Sequence, residues 1–238
     1  MQLRFMLLPC LALCLVILSA CASHRTSPAR SDDGFRVSHF AKTDLDRVTE
    51  VHQQEVFASL RLLAEKLYRR NPRELRKSGQ KSVEAGVSRI FERHHGWQFE
   101  DINYQRGTPA IQLALREDFR GDRVLAYVVG LASMIQAAFN DKTEFFVTDD
   151  VDPQGLHNAA RNIEIAVWKL SHARSAQGEL LLLSNDGAGP APNLSFEREF
   201  GKMIASLDVL SKVLAGRHGR TVVKVMQSLA TAVFLPIK

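Results

Sequence analysis

Residues 124–139 form the most apolar stretch of the chain beyond its first twenty residues, interrupted only by Gly130, Ser133 and Gln136. As a helix, sixteen residues extend about 24 Å, short of the roughly 30 Å hydrocarbon core of a bilayer. The stretch therefore predicts a helix buried in protein, and the rest of the chain must supply amphipathic elements that cover it.

The remaining pattern is helical. Leu45, Val48, Val56, Leu60, Leu63 and Leu67 recur at three- and four-residue steps or their multiples. They follow the capping-box-like start at Thr43, Asp44 and Asp46, and the run is stopped by Asn71 and Pro72. Residues 82–93 repeat the pattern with Val83, Val87, Ile90 and Phe91, and 109–115 predict a short turn of helix. Asp152 followed by Pro153 is a helix start, with the cap at Asp152 and proline at the first helical position. Leu156, Ala160, Ile163, Val167 and Leu170 then share one face. Residues 186–192, rich in Gly and Pro, mark a loop. Beyond it, helical patterns over 194–214 and 221–235 predict a C-terminal hairpin within 193–238. Strand signals are confined to residues 144–148 and 180–183. The expected class is all-α, one domain of about five to seven helices over residues 43–238.

The N-terminus reads as an address. Arg4 precedes an apolar run over residues 5–18, broken only by Pro9, and the run closes on Leu18, Ser19, Ala20 and Cys21. A positive start, a short apolar core and small residues at the end describe a secretory signal peptide, here residues 1–20. The closing tetrapeptide resembles the lipobox of bacterial lipoproteins. That resemblance implies a diacylglycerol on the Cys21 thiol and an acyl group on its freed amine. Ala22 rather than Asp resembles the pattern routed to the outer membrane, on its periplasmic face. Several acyl chains hold a protein firmly where one holds it marginally. Residues 21–42 then read as lipidated cysteine and flexible tether, with a root-mean-square reach of roughly 25 Å.

This reading disposes of all three cysteines, because Cys10 and Cys14 leave with the signal. No thiol remains for catalysis or for a zinc–thiolate site. Hydrophobic residues at 45% and charged residues at 24% are ordinary for a packed domain and exclude a disordered chain. A net charge of +5 is too small to imply nucleic acid. Arg70 to Leu75, Asn158 to Glu164 and Asn193 to Glu197 resemble segments of a proteobacterial lipoprotein family with no assigned activity. That likeness implies localisation and fold class only.

Chemistry-bearing patterns are sparse. Asp141, Glu144, Asp149, Asp150 and Asp152 crowd twelve residues, but a calcium loop beginning at Asp150 would place Arg161 where its bidentate glutamate belongs. These carboxylates are expected to cap the next helix, with no metal and no cofactor beyond the lipid. His94 and His95 are adjacent and do not face one another as a metal pair would. His157, Arg161, Glu164 and Trp168 line up on the helix after Pro153. They form either a polar network at a helix interface or a cleft with Glu164 as a base and Arg161 binding an anion. Eight cations fall between Arg61 and Lys81 against Glu65 and Glu74. Within that stretch Arg69, Arg70, Arg73, Arg76 and Lys77 are either a solvated helix end or a contact for anionic lipid or an acidic envelope partner. The expected function is a non-catalytic interaction or assembly factor of the cell envelope. The alternatives are a carrier for a lipid or other apolar ligand and, behind both, a periplasmic hydrolase.

Overall fold

The computed structural model describes residues 42–92, 95–185, 193–219, 221–224, 229 and 231–237. Cys21, most of the tether, His94 and the 186–192 loop lie outside them. Seven α-helices occur among the described residues: α1 (Asp44–Arg70), α2 (Pro72–Lys77), α3 (Val83–Phe91), α4 (Gly107–Ala114), α5 (Arg123–Ala138), α6 (Pro153–His172) and α7 (Ser195–His218). A 3₁₀ turn, Glu100–Ile102, precedes α4. The all-α expectation holds. Among the described residues no helix is long and apolar enough to cross a membrane.

Local chemistry sets the helix ends. The Thr43 hydroxyl accepts from the Asp46 N–H at 3.2 Å while the Asp46 carboxylate accepts from the Thr43 N–H at 2.7 Å. That closes the capping box of α1. Asp152 likewise accepts from the Gln154 and Gly155 N–H groups, with Pro153 opening α6.

Helix α5 is the axis of the body, and within it all residues except Ala137 are buried. It packs on α4, α1 and α6, and α7 packs on α1 and α6. Its approach to α4 requires a glycine. A Cβ on Gly130 would lie 2.6 Å from the Ile111 Cγ1 and 2.8 Å from the Gly107 carbonyl oxygen.

The start of α5 is held by buried charge. Glu74, fully buried, accepts from the Arg123 N–H at 2.9 Å and from the Lys77 ammonium at 2.8 Å on both oxygens. Its carboxylate faces the positive end of the α5 dipole. Asp122 caps the helix through the Leu125 N–H at 3.0 Å and accepts from the Tyr68 hydroxyl at 2.8 Å. The Arg123 guanidinium donates to four carbonyls, those of Ala114, Arg116, Glu117 and Phe119, and so ties down the α4–α5 connection.

The C-terminal hairpin needs correction. α7 forms, but the described residues of 221–237 are not helical. The Asn162 carboxamide both donates to the Leu235 carbonyl at 2.8 Å and accepts its N–H at 2.6 Å. Gln154 makes the same pair with Val223, at 3.1 and 2.8 Å. A helix would have consumed those backbone groups internally. The 180–183 run is held in the same way, with Asn71 donating to the Leu183 carbonyl and accepting its N–H, both at 2.8 Å.

Two outcomes follow from this packing. Gly130→Ala should lower stability by about 1–3 kcal/mol, because backbone stands on two sides of the new methyl; a urea midpoint equal to that of the parent would refute the close contact. Burial pushes the Asp122 carboxyl up to about 6, with the nearby Glu74 charge acting in the same direction. The folded state then keeps a proton that the unfolded chain has released, so this group's contribution falls as pH rises from about 4 to 6. Asp122→Asn keeps an acceptor for Leu125, and its stability relative to the parent should be higher at pH 7 than at pH 4 by roughly 2–2.5 kcal/mol in denaturant titrations.

Candidate functional site

The stripe expected on α6 is only partly brought together. Arg161 donates to Asp208 of α7 at 2.6 Å and pairs with Glu164 at 3.1 Å, and the His157 Nδ1 stands 3.5 Å from Asp208. Asp208, 47 residues away in sequence, is the member that helical spacing alone does not reveal. Trp168 is not part of the network: its ring stacks on His172 with centroids 4.2 Å apart and planes 15° apart. Burial, and the Arg161 charge beside it, hold the His157 imidazole below its ordinary value, so it is neutral at pH 7. Burial raises the Glu164 carboxyl. The arrangement is an ion-pair network between α6 and α7.

The basic stretch is largely answered from within the protein. Arg69 pairs with Glu65 at 2.7 Å and lies 3.6 Å from Glu84. Arg73 donates to the Leu181 carbonyl at 3.0 Å and meets Glu74 at 3.2 Å, and Lys77 is bound to Glu74. Arg70 is engaged as well. Arg76 is exposed. The loop carboxylates disperse: Asp141 to Arg106, Asp149 to Lys142, Asp152 to the start of α6. Among the described residues no group of three or more His, Cys, Asp or Glu converges as a metal site would.

A different place gathers unusual features. An open cleft lies between the loops that precede α4 and follow α5, in two lobes of about 600 and 570 Å³. Arg106 and Asp141 line both lobes, and their ion pair, at 3.1 Å, stands where the lobes meet. The first lobe is walled by Phe91, His95, Trp97, Gln136 and Thr143. The second is walled by Pro109, Met134, Ala137 and the C-terminal Phe234 and Ile237. Both volumes fall in the range of small-molecule sites, roughly 300–1,000 Å³.

The backbone framing the cleft is strained. Among the described residues, five non-glycine positions have φ between +52 and +61°: Trp97, Asn103, Tyr104, Asn140 and Asp141. All five fall in these two loops. An L-residue in this region costs roughly 1–2 kcal/mol, so surrounding bonds must hold it there. The Asn140 and Asp141 N–H groups donate to the Ala137 and Gln136 carbonyls at 2.9 Å, which points Asp141 at Arg106. Trp97 is wedged against Phe57 and Phe91, with ring centroids 5.9 and 6.0 Å apart, and its N–H donates to the His95 Nδ1 at 2.9 Å. That bond assigns the proton to Nε2, which donates to the Ile90 carbonyl at 2.9 Å. His95 therefore spends one nitrogen on the loop and the other on the end of α3, and so braces the loop.

At the centre, Arg106 occupies the N-cap position of α4 without capping it. The α4 cap comes from α5, where the Ser133 hydroxyl accepts the Gly107 N–H at 2.7 Å. The Arg106 Nε is buried and has no acceptor among the described residues. No motif in the sequence singles out Arg106 or Trp97. Asp141 is visible only as one of several loop acids.

Fold and site thus define an all-helical protein with one strained, two-lobed cleft centred on an arginine. Compared against protein-family models, curated proteins and solved structures, the chain matches none.

The α6–α7 network carries a direct test. Asp208→Ala should cost about 1 kcal/mol, because it removes the cross-helix partner of Arg161. Glu164→Gln, within one helix, should cost under about 0.5 kcal/mol. A double-mutant cycle of Arg161 and Asp208 that gives no coupling energy would contradict the network.

Proposed function

We propose that the chain is a lipid-anchored protein of the bacterial cell envelope, held through Cys21 on the periplasmic side of the outer membrane, and that it acts by binding, as an interaction or assembly factor. The anchor rests on the lipobox resemblance and the apolar run before it. The observation that carries the binding reading is the engagement of the α6 stripe: Arg161 is tied to Asp208 and Glu164, and His157 sits against the same pair. These side chains join helices, and Glu164 is paired with Arg161.

The exposed apolar side chains suggest where a partner would rest. α1 and α7 run antiparallel, since Lys66 bonds Glu199 and His52 bonds Ser206. Val48 and Val51 stand within about a turn of His52, and Val209 and Val213 within two turns of Ser206. All four are exposed by more than two-fifths. They belong to the first turns of α1 and the second half of α7, and α1 is the described helix closest in sequence to the anchor.

A second reading, a binding module for a small apolar ligand, is favoured by the strained frame around Arg106. Backbone strain of this kind is retained where the surrounding structure over-determines it, and it clusters at ligand sites.

In cells, Cys21→Ser should remove the protein from the outer-membrane fraction. Val48→Asp combined with Val209→Asp should leave the anchored protein in the membrane and abolish its crosslinks to envelope partners. Retention of the serine variant in the outer-membrane fraction would overturn the anchor. An unchanged crosslinking pattern for the aspartate variant would overturn the valine surface.

A further inference from the structure

The second lobe of the cleft is built from three parts distant in sequence. Its floor is α5, through Met134 and Ala137, and one wall is the start of α4 with Pro109. Its other wall is the C-terminal segment, through Phe234 and Ile237. That segment is held from behind by α6. Asn162 clasps both backbone groups of Leu235, and Asn158 donates to the Pro236 carbonyl at 3.0 Å. Asn162 is fully buried, so its carboxamide has no water to exchange with and the clasp is a fixed part of the body.

The end of the lobe at Arg106 is rich in donors. Asp141 is the one acidic side chain among the described residues lining either lobe. It takes a single Nη2 contact, and its side chain is 60% exposed, so the pair is weak. Among the described residues the Arg106 Nε–H has no acceptor. The adjacent N-terminus of α4 adds its partial positive charge. Arginine binds oxyanions through charge-assisted N–H donors, and an oxyanion that displaces the exposed Asp141 carboxylate would take its place on the guanidinium.

We propose that this lobe binds a small amphiphile whose oxyanion head, a carboxylate or phosphate, sits on the Arg106 guanidinium and whose apolar body lies against Met134, Phe234 and Ile237. The proposal rests on the binding-module reading and adds the chemistry of the ligand. The C-terminal segment is then a structural wall of the site. Asn162 is a positioning residue, which acts on the ligand only through the placement of Phe234 and Ile237.

The experiment uses the full chain with Cys21→Ser, which removes the anchor and alters no described residue. The probe is a dansylated undecanoate, followed by its fluorescence gain. Dodecanoate and dodecyl phosphate should both displace it. Dodecanol, with the same chain and no charge, should be weaker than either by about tenfold or more, and inorganic phosphate should not displace it. Arg106→Gln should weaken probe binding by about ten- to a hundredfold with an unchanged helical circular dichroism spectrum, and Arg106→Lys should restore part of the loss. Asn162→Ala should weaken the probe several-fold without changing the preference for dodecanoate over dodecanol.

Equal displacement by dodecanol and dodecanoate, or unchanged binding by the Arg106→Gln variant, would overturn the headgroup assignment while leaving an apolar binding module in place. Absence of saturable probe binding by the parent chain would overturn the proposal together with that reading. If Asn162→Ala binds the probe like the parent, the C-terminal wall is not part of the site.

Discussion

A single buried carboxylate holds the body together at its most demanding point. α5 is almost entirely apolar, and its first N–H groups must be satisfied where no water reaches. Glu74 supplies an acceptor from α2, and Asp122 supplies another from the helix's own cap. The Glu74 charge is balanced by Lys77 and Arg73, whose stems reach in from the surface. The turn at Asn71 and Pro72 exists to aim Glu74 at this spot. Remove it, and an uncompensated helix end would be left inside the protein, the costly half of any buried pair.

Extended segments face a related problem in a protein whose described residues form no sheet. Their N–H and C=O groups need partners, and here carboxamides provide them. Asn71 clasps Leu183, Asn162 clasps Leu235 and Gln154 clasps Val223, each side chain offering one donor and one acceptor to one residue's backbone. Each clasp imitates one rung of a β ladder from the flank of a helix. The consequence for the surface is direct, because the segment seated on Asn162 closes one lobe of the cleft.

Polar groups elsewhere divide into those consumed by architecture and those left over. The His157–Arg161–Glu164–Asp208 network and most of the cations between Arg61 and Lys81 are consumed. The two loops flanking Arg106 are different: among the described residues they concentrate the left-handed non-glycine backbone and leave the Arg106 Nε without an acceptor. Rigid bracing by His95, Trp97 and Asn140 keeps that cleft open and shaped. A preformed site of this sort loses little entropy when it is filled.

Much of the fold was legible from residues a few positions apart. The capping box at Thr43, the stop at Asn71 and Pro72, the start at Asp152 and Pro153, and the apolar period of each helix are local chemistry, so spacing alone located α1, α5 and α6. The buried role of residues 124–139 followed from their length and composition. Spacing could not show that Arg161 would pair with Asp208, or that Arg106 would meet Asp141 across a cleft. It also pointed the wrong way at the C-terminus. Residues 221–235 carry helical apolar spacing, yet among the described ones Leu235 is held by Asn162, 73 positions before it. Propensity acts on the chain's own neighbours, whereas a buried carboxamide takes whichever backbone the packing brings to it. Helix identity was therefore determined by the sequence in short windows. The cleft, its arginine and the wall that closes it were decided only when distant segments came together.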